Sequence, residues 1–313
     1  MLGKLKEAGE LIQGAREPFE ERRAAILNKA FTGELTQKWR EENPDVESAK
    51  NLIELLIDKR NKLGKDGKKG GTPTYEEIII NKEGEQPYNV PKNWKWIKLR
   101  ELLCKVDKKD PKKEGIKKFT YLDISSIDNK EGIITDPKTY KGVEAPSRAR
   151  QIVKTNDILF STVRTYLKNI AMIDEGYNNQ IASTGFCVMR CCEIINCCFL
   201  FRFVRSDIFI DRLNGFQRGI SYPAVKTSDL LEQPIPLPPL SEQKEIVRIL
   251  DNLLDYEDEA KALTDMEEQI DLLEKSILSK AFRGELGTNN PDDEPAIELL
   301  KRSLKDKVNV SQG

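Results

Sequence analysis

Ile26-Leu27-Asn28-Lys29-Ala30-Phe31-Thr32-Gly33-Glu34-Leu35 returns 251 positions later as Ile277-Leu278-Ser279-Lys280-Ala281-Phe282-Arg283-Gly284-Glu285-Leu286, with eight of the ten residues identical. The echo runs on: Asn43-Pro44-Asp45 recurs as Asn290-Pro291-Asp292, and Ile53-Glu54-Leu55-Leu56 as Ile297-Glu298-Leu299-Leu300. A repeat of this kind means that one structural unit is used twice. The copies flank a long stretch of different character, which predicts two matching helical arms around one globular domain.

Upstream of the second copy, residues 241–283 read as one long helix. Pro234, Pro236, Pro238 and Pro239 punctuate the chain before it, Ser241 suits the N-cap and Glu242 the first turn. Ile246, Ile249, Leu253, Tyr256, Ala260, Leu263, Met266, Ile270, Leu273, Ile277 and Ala281 recur in steps of three and four, the spacing of a coiled-coil seam. Such a helix is roughly 60 Å long at 1.5 Å per residue, suited to a spacer, an arm or a dimer seam. Shifted by the repeat, Leu2, Ile12, Ala15, Phe19, Ile26 and Phe31 keep that seam in the first arm, with Pro18 expected to kink or restart it. A short helix follows each arm, over 46–62 and 293–307, and residues 64–71 form a Gly/Lys linker.

Residues 86–239 mix short strands and turns. Strand, turn and strand are expected over 152–161, one strand over Ser183 to Arg190, and one amphipathic helix over Phe199 to Leu213. The fold class is α+β: a globular mixed domain flanked by long helices. The expected division is 1–62 helical region, 63–85 linker, 86–239 globular domain and 240–313 second helical region.

The net charge of −1 hides an asymmetry. Residues 86–239 hold 25 Lys and Arg against 17 Asp and Glu, a net of +8, whereas residues 240–313 hold 10 against 18, a net of −8. A basic middle beside an acidic tail suits a chain whose middle meets a polyanion. No apolar run approaches the ~20 residues of a membrane span. The opening Met1 to Glu7 stretch has an early acid and no apolar core, so no signal peptide is expected and the expected location is the cytoplasm.

The chain has no histidine. That removes Ser-His-Asp and Cys-His catalysis and the commonest zinc ligand. Cys187, Cys191, Cys192, Cys197 and Cys198 cluster, with Cys104 apart, but paired cysteines four residues apart do not make CxxC knuckles. They are expected to be small buried hydrophobes, with no metal and no disulfide. Phosphate-binding glycine loops and Asn/Asp-Pro-Pro-Tyr methyltransferase motifs are missing. Glu242-Gln243-Lys244 matches a nuclease Glu-x-Lys fragment, but capping and surface charge explain it better. Trp94 and Trp96 read as core, and Asp157 as a turn residue. No catalytic site is expected.

Ile220-Ser221-Tyr222-Pro223-Ala224-Val225, the run Pro234-Ile235-Pro236-Leu237-Pro238-Pro239-Leu240-Ser241-Glu242-Gln243, Asp157 to Arg164, Ala182 to Phe186, Pro91-Lys92-Asn93-Trp94 and the repeated Lys-Ala-Phe-x-Gly-Glu-Leu together resemble the specificity subunit of type I restriction–modification systems. The resemblance implies that residues 86–239 are a target-recognition domain reading one half of a bipartite DNA site. It implies antiparallel pairing of the long helices as a ruler, and docking of modification (methyltransferase) subunits on them. A full subunit has two recognition domains. This chain carries one, as would a half-subunit that forms a homodimer through the long helices or a truncated gene product. S-adenosylmethionine, ATP and Mg are implied only in the modification subunits and the ATP-dependent restriction subunit, with no cofactor on this chain and no membrane partner.

Reading double-stranded DNA requires donors for base edges and cations for phosphates. The candidates are Arg148, Arg150, Arg164, Tyr166, Lys168, Asn179, Gln180, Gln217, Arg218 and Tyr222. The helix-seam candidates are Ile12, Phe19, Ile26, Phe31, Leu253, Leu263, Ile270, Ile277 and Phe282. The rival reading is a coiled-coil scaffold with an embedded protein-binding domain and no sequence-specific DNA binding. A stand-alone nuclease is a third.

Overall fold

The computed structural model describes residues 19–64, 74–80, 84–219 and 223–283, with 285, 295, 297, 298 and 300–302 beyond them. The chain divides into two compact units, the larger spanning residues 18–256. Ile12, Pro18, Tyr222 and most of the 64–71 linker lie outside the described residues, as do the side chains of Leu263 and Ile270.

Four helices open the described chain: α1 (Phe19–Thr32), α2 (Gln37–Glu42), α3 (Ala49–Gly64) and the single turn α4 (Tyr75–Ile78). The apolar faces of α1, α3 and α4 enter the main core of the larger unit, whereas α2 buries no residue. Phe31 is wholly buried, its ring edge-on to Phe199 and Phe203 at centroid distances of 5.7 and 5.0 Å. Ala30, Leu52, Ile53 and Leu56 share that core with Trp94, Ile97, Phe160 and Leu237. Phe31, assigned by spacing to a helix seam, is therefore a core residue of its own domain. Spacing reports which face is apolar, not what covers it. Ile26 packs partly buried against the same core, and Phe19 is buried with the Arg22 guanidinium over its ring.

Gly33 explains the invariant spacing of the repeated motif in its first copy. It turns the chain at φ +85°, and a Cβ there would lie 2.5 Å from Pro91 Cγ. Only glycine tolerates both the left-handed backbone and the close approach. Arg40 Nη2 donates to the Gly33 carbonyl at 2.6 Å and fixes the turn.

The proline-rich run is a strand rather than punctuation. β1 (Lys95–Lys98) pairs antiparallel with β12 (Pro234–Leu237), Trp96 facing Pro236 and Lys98 facing Pro234. In this two-stranded sheet the prolines alternate with Ile235 and Leu237, so the missing N–H groups fall on one edge.

Two four-stranded sheets form the rest. In one the order is β2 (Leu103–Cys104), β11 (Phe186–Cys191), β8 (Ile158–Ser161), β9 (Ile170–Met172). In the other it is β6 (Lys138–Lys141), β3 (Lys118–Leu122), β10 (Ile181–Ser183), β7 (Ala149–Ile152). A small pair, β4 (Ile127–Asp128) and β5 (Ile133–Ile134), stands beside them. The predicted strand over 183–190 is thus two strands in different sheets, broken at Thr184-Gly185, where the Gly185 N–H donates to Ser183 Oγ at 3.1 Å. The predicted helix over 199–213 is also two, α5 (Cys197–Arg205) and α6 (Asp207–Asn214). Ser206 separates them with extended backbone at φ −70°, ψ 151°, and its hydroxyl donates back to the Phe203 carbonyl at 2.6 Å. The helical periodicity runs through the break, which is why the sequence reads as one helix. α7 (Thr227–Leu231) precedes β12.

The long helix α8 runs Leu240–Phe282. Ser241 lies inside it rather than at its cap, and Glu242 is not a surface charge: it is 0% exposed. Its Oε1 accepts from Thr36 Oγ1 at 2.8 Å and Arg40 Nη1 at 2.5 Å. Its Oε2 accepts from Trp94 Nε1 at 2.9 Å and Asn93 Nδ2 at 3.1 Å. Next to it, the buried Gln243 donates to the carbonyls of Ile194 and Pro238 and accepts from the Asn196 N–H at 2.7 Å. Within the larger unit, the packed face of α8 is Gln243, Ile246, Leu250 and Leu254. Leu253, a seam candidate, is half-buried one position round, and Tyr256 is 68% exposed.

Among the described residues no helix is long and apolar enough to cross a membrane, and no group of His, Cys, Asp or Glu could hold a metal ion. Burial pushes the thiols of Cys187 and Cys191 up to about 12, which leaves them protonated and inert at neutral pH.

Two stability outcomes follow from this packing. Glu242→Ala leaves Arg40, Thr36 and the Trp94 indole without their acceptor and is expected to lower unfolding free energy by about 3–5 kcal/mol in urea titration. A loss under about 1 kcal/mol would contradict the burial. Phe31→Ala is expected to cost about 3–5 kcal/mol through the cavity it leaves, whereas the same change at Phe282, which is 89% exposed, should move the midpoint of the isolated chain little.

Candidate nucleic-acid interface

Ser161 ends β8, and the chain there leaves the sheet for a loop whose shape is fixed from several sides. Ser161 Oγ donates to the Val163 carbonyl at 3.1 Å. Thr162 accepts from the Val225 N–H, Val163 bridges to Ala224, and the Arg164 N–H donates to the Pro223 carbonyl at 2.8 Å. Ala224 in turn exchanges both backbone hydrogen bonds with Arg218. The segments 162–164, 223–225 and 217–218 therefore lie side by side.

Beyond Val163 the backbone makes one 3-10 turn, Thr165–Leu167, bracketed by two residues in the left-handed region, Arg164 at φ 48° and Lys168 at φ 51°. Neither is glycine, so each conformation costs about 1–2 kcal/mol and persists because neighbours impose it. Thr165 is the anchor. It is buried, its hydroxyl donates to Asn214 Oδ1 at 2.7 Å, and it accepts from Gln217 Nε2 at 2.6 Å. The strained turn holds Tyr166 out, 50% exposed, with Leu167 beside it. Phe216, 45% exposed, projects from the loop that ends α6.

The structure thus gathers Arg164, Tyr166, Lys168, Gln217 and Arg218 into one loop pair. Their freedom differs. Arg218 is exposed and reaches Asp229 only at 3.4 Å. Lys168 is held by Asp207 at 2.5 Å. The Gln217 amide is engaged with Thr165 and Asn214, so it supports the loop rather than offering a ready donor. Arg148 is exposed at the same end of the molecule: the Thr184 N–H donates to its carbonyl, and Thr184 lies two residues before Phe186, which faces Ser161.

Arg150, Asn179 and Gln180 lie elsewhere. Arg150 turns aside to Asp110 at 3.3 Å and to the carbonyl of Ala149. Asn179 and Gln180 enter β10 at its opposite end from Thr184. Gln180 Oε1 accepts from the Thr120 N–H at 2.7 Å, a structural bond across strands. Asp157 proves to be the buried partner of Arg190, whose Nη2 donates to it at 2.8 Å while the Lys154 N–H caps it. Thr162, Thr184 and Phe216 stand at the loop end without having been read from sequence. Phe216, an aromatic next to Gly215 where α6 ends, is the one that composition could have flagged. An open groove lined by Arg100, Lys105, Lys108, Gln151, Thr184 and Thr227 runs beside them.

Comparison with known proteins identifies the family. The family profile described as "Type I restriction modification DNA specificity domain" matches residues 91–268. The chain is similar to the EcoDI specificity subunit of Escherichia coli, a type I restriction enzyme component, at 28% identity over 293 residues, 90% of this chain and 58% of that protein. Among solved structures it is similar to the HsdS subunit of Thermoanaerobacter tengcongensis at 39% identity and a TM-score of 0.57, covering 67% of this chain and 53% of that one. A chain from a study of complex assembly in a type I R-M system aligns with 38% identity and a TM-score of 0.59 over 67% of this chain and 53% of its own. The chain spans a little over half the length of these relatives. With the profile covering more than half of its residues, the chain belongs to the type I restriction–modification specificity-subunit family.

Proposed function

We propose that this chain is a DNA sequence-specificity component of a type I restriction–modification complex and performs no catalysis itself. Its basic domain reads one half of a split site on double-stranded DNA. Its helices act as spacer and as docking surface for modification subunits, with the restriction subunit joining the same assembly. S-adenosylmethionine, ATP and Mg would then act in those partners.

The observation that carries this reading is the loop pair 162–168 and 216–225. A strained turn and a bridged segment, anchored by the buried Thr165, present Arg218 and Tyr166 together, with the half-buried Arg164 beside them, on a domain of net charge +8. Guanidinium groups match guanine edges and phosphates, and a fixed loop lowers the ordering cost of reading them. Leu272, Ile277 and Phe282 are exposed along the second unit's part of α8, which supports protein docking there.

The test is a gel shift on a randomised duplex pool with the modification subunit present, followed by sequencing of the bound fraction. A split consensus is expected. Arg218→Ala with Tyr166→Ala, both exposed, should weaken cognate binding by about tenfold or more, on the order of 1–3 kcal/mol per base contact, without shifting thermal unfolding. A bound fraction with no enriched sequence would favour the scaffold reading instead.

A further inference from the structure

We propose that the end of the sheet β6-β3-β10-β7 farthest from the recognition loops is a second DNA contact, a row of donors that grips the sugar–phosphate backbone flanking the half-site. This rests on the DNA-reading function proposed above.

The first observation is an electrostatic conflict. Lys118 of β3 stands directly opposite Lys141 of β6 in antiparallel register, so both side chains project on one face. Like charges in that position are destabilising. Both are exposed, and neither has an ion-pair partner among the described residues. Glu144, which ends one neighbouring turn, and Glu175, which opens another, are exposed and pair with neither of them. An anion from outside would relieve the conflict.

The second observation is what continues the row. Register across the sheet places Gln180 and Asn179 beside Thr120 and Phe119, and Val153 beside Gln180. Gln180 uses its carbonyl oxygen on the Thr120 N–H, which leaves its NH2 group as a donor with no acceptor among the described residues. Asn179 is exposed and held at φ 60° by its N–H bond to the Val153 carbonyl. Lys154, exposed, follows Val153 at the end of β7. Lys154, Asn179, Gln180, Lys118 and Lys141 therefore cross four strand ends, about 14 Å at the ~4.8 Å strand spacing. All can donate, and Glu114 and Asp110, on the loop that packs beside Gly142, are paired with Lys109 and Arg150.

The row is separated from the Arg148 and Arg164 end by roughly the length of β3, about 17 Å at ~3.4 Å per residue. That is about five base-pair steps of duplex. One DNA segment can reach both, with bases read at the loops and phosphates held at the row. This also gives Asn179 and Gln180 a role as backbone contacts rather than adenine readers.

The test uses the full chain with its modification subunit and compares the wild type with Lys118→Gln/Lys141→Gln/Lys154→Gln by fluorescence anisotropy over a salt series, on cognate and scrambled duplexes. Each lost phosphate contact lowers the slope of log K against log salt by about 0.9, so a drop of about 2–3 is expected. Affinity should fall by a similar factor, about tenfold or more, on both duplexes, with thermal unfolding unchanged. An unchanged slope and affinity would overturn the inference while leaving the reading function intact, as would a loss confined to the cognate duplex. An unchanged slope with loss of the modification subunit would overturn it in favour of an acidic protein face. Failure of the wild type to bind either duplex would sink the reading function and the inference with it.

Discussion

One buried carboxylate organises the larger unit. Glu242 is shielded from solvent and its two oxygens accept four hydrogen bonds, from Thr36, Arg40, Asn93 and Trp94. Those donors come from the α1–α2 connection, from α2 and from the start of the globular domain, while the acceptor opens the long helix. A charge removed from water is tolerated only with such complete satisfaction, and the geometry that satisfies it admits one arrangement. Gln243 repeats the logic one residue on, tying the helix to Ile194, Asn196 and Pro238. Within the larger unit, these two side chains fix the first turn of α8 against the globular core.

The repeat acquires a physical meaning from the same place. In its first copy the motif is a core plug: Phe31 fills the space beside Phe199 and Phe203, and Gly33 lets the chain pass against Pro91. Arg40, seven residues past the glycine, closes the turn and pairs with Glu242. In the second copy Phe282 is exposed. Between Leu286 and Asn290 the second copy has only Gly287, Thr288 and Asn289 where the first has seven residues, so Arg40 has no counterpart there. The apolar half of the motif is kept and the polar half is not.

Much of this was legible in the sequence, and the failures have a common cause. Periodicity located α8 and the first helical region, the strand expected up to Ser161 is β8, and Trp94 and Trp96, read as core, are buried; the strand expected to start at Ile152 instead ends there, as β7. What periodicity cannot register is a break that preserves phase, as at Ser206, or a two-residue turn between sheets, as at Thr184-Gly185. It also cannot show which partner covers an apolar face: Phe31, grouped with a helix seam, fills the core of the larger unit, which Ile246 and Leu250 of α8 also enter. Glu242 was misread for a related reason: composition treats a glutamate as solvated, and only its four donors, drawn from residues about 150 and 200 positions away, keep it buried. Among the candidate DNA residues, chemistry suggested types and the fold sorted them, drawing the Arg164 and Arg218 loops together and sending Asn179 and Gln180 to the far end.

Hydrogen–deuterium exchange of the assembled complex, with and without a duplex carrying its selected half-site, shows whether the two loops close on DNA. Slower exchange on DNA binding is expected in the peptides covering 162–168 and 216–225, with the peptides around Glu242 already protected and unchanged. Exchange that is unaltered in both loops while protection appears only along α8 would contradict DNA reading by these loops.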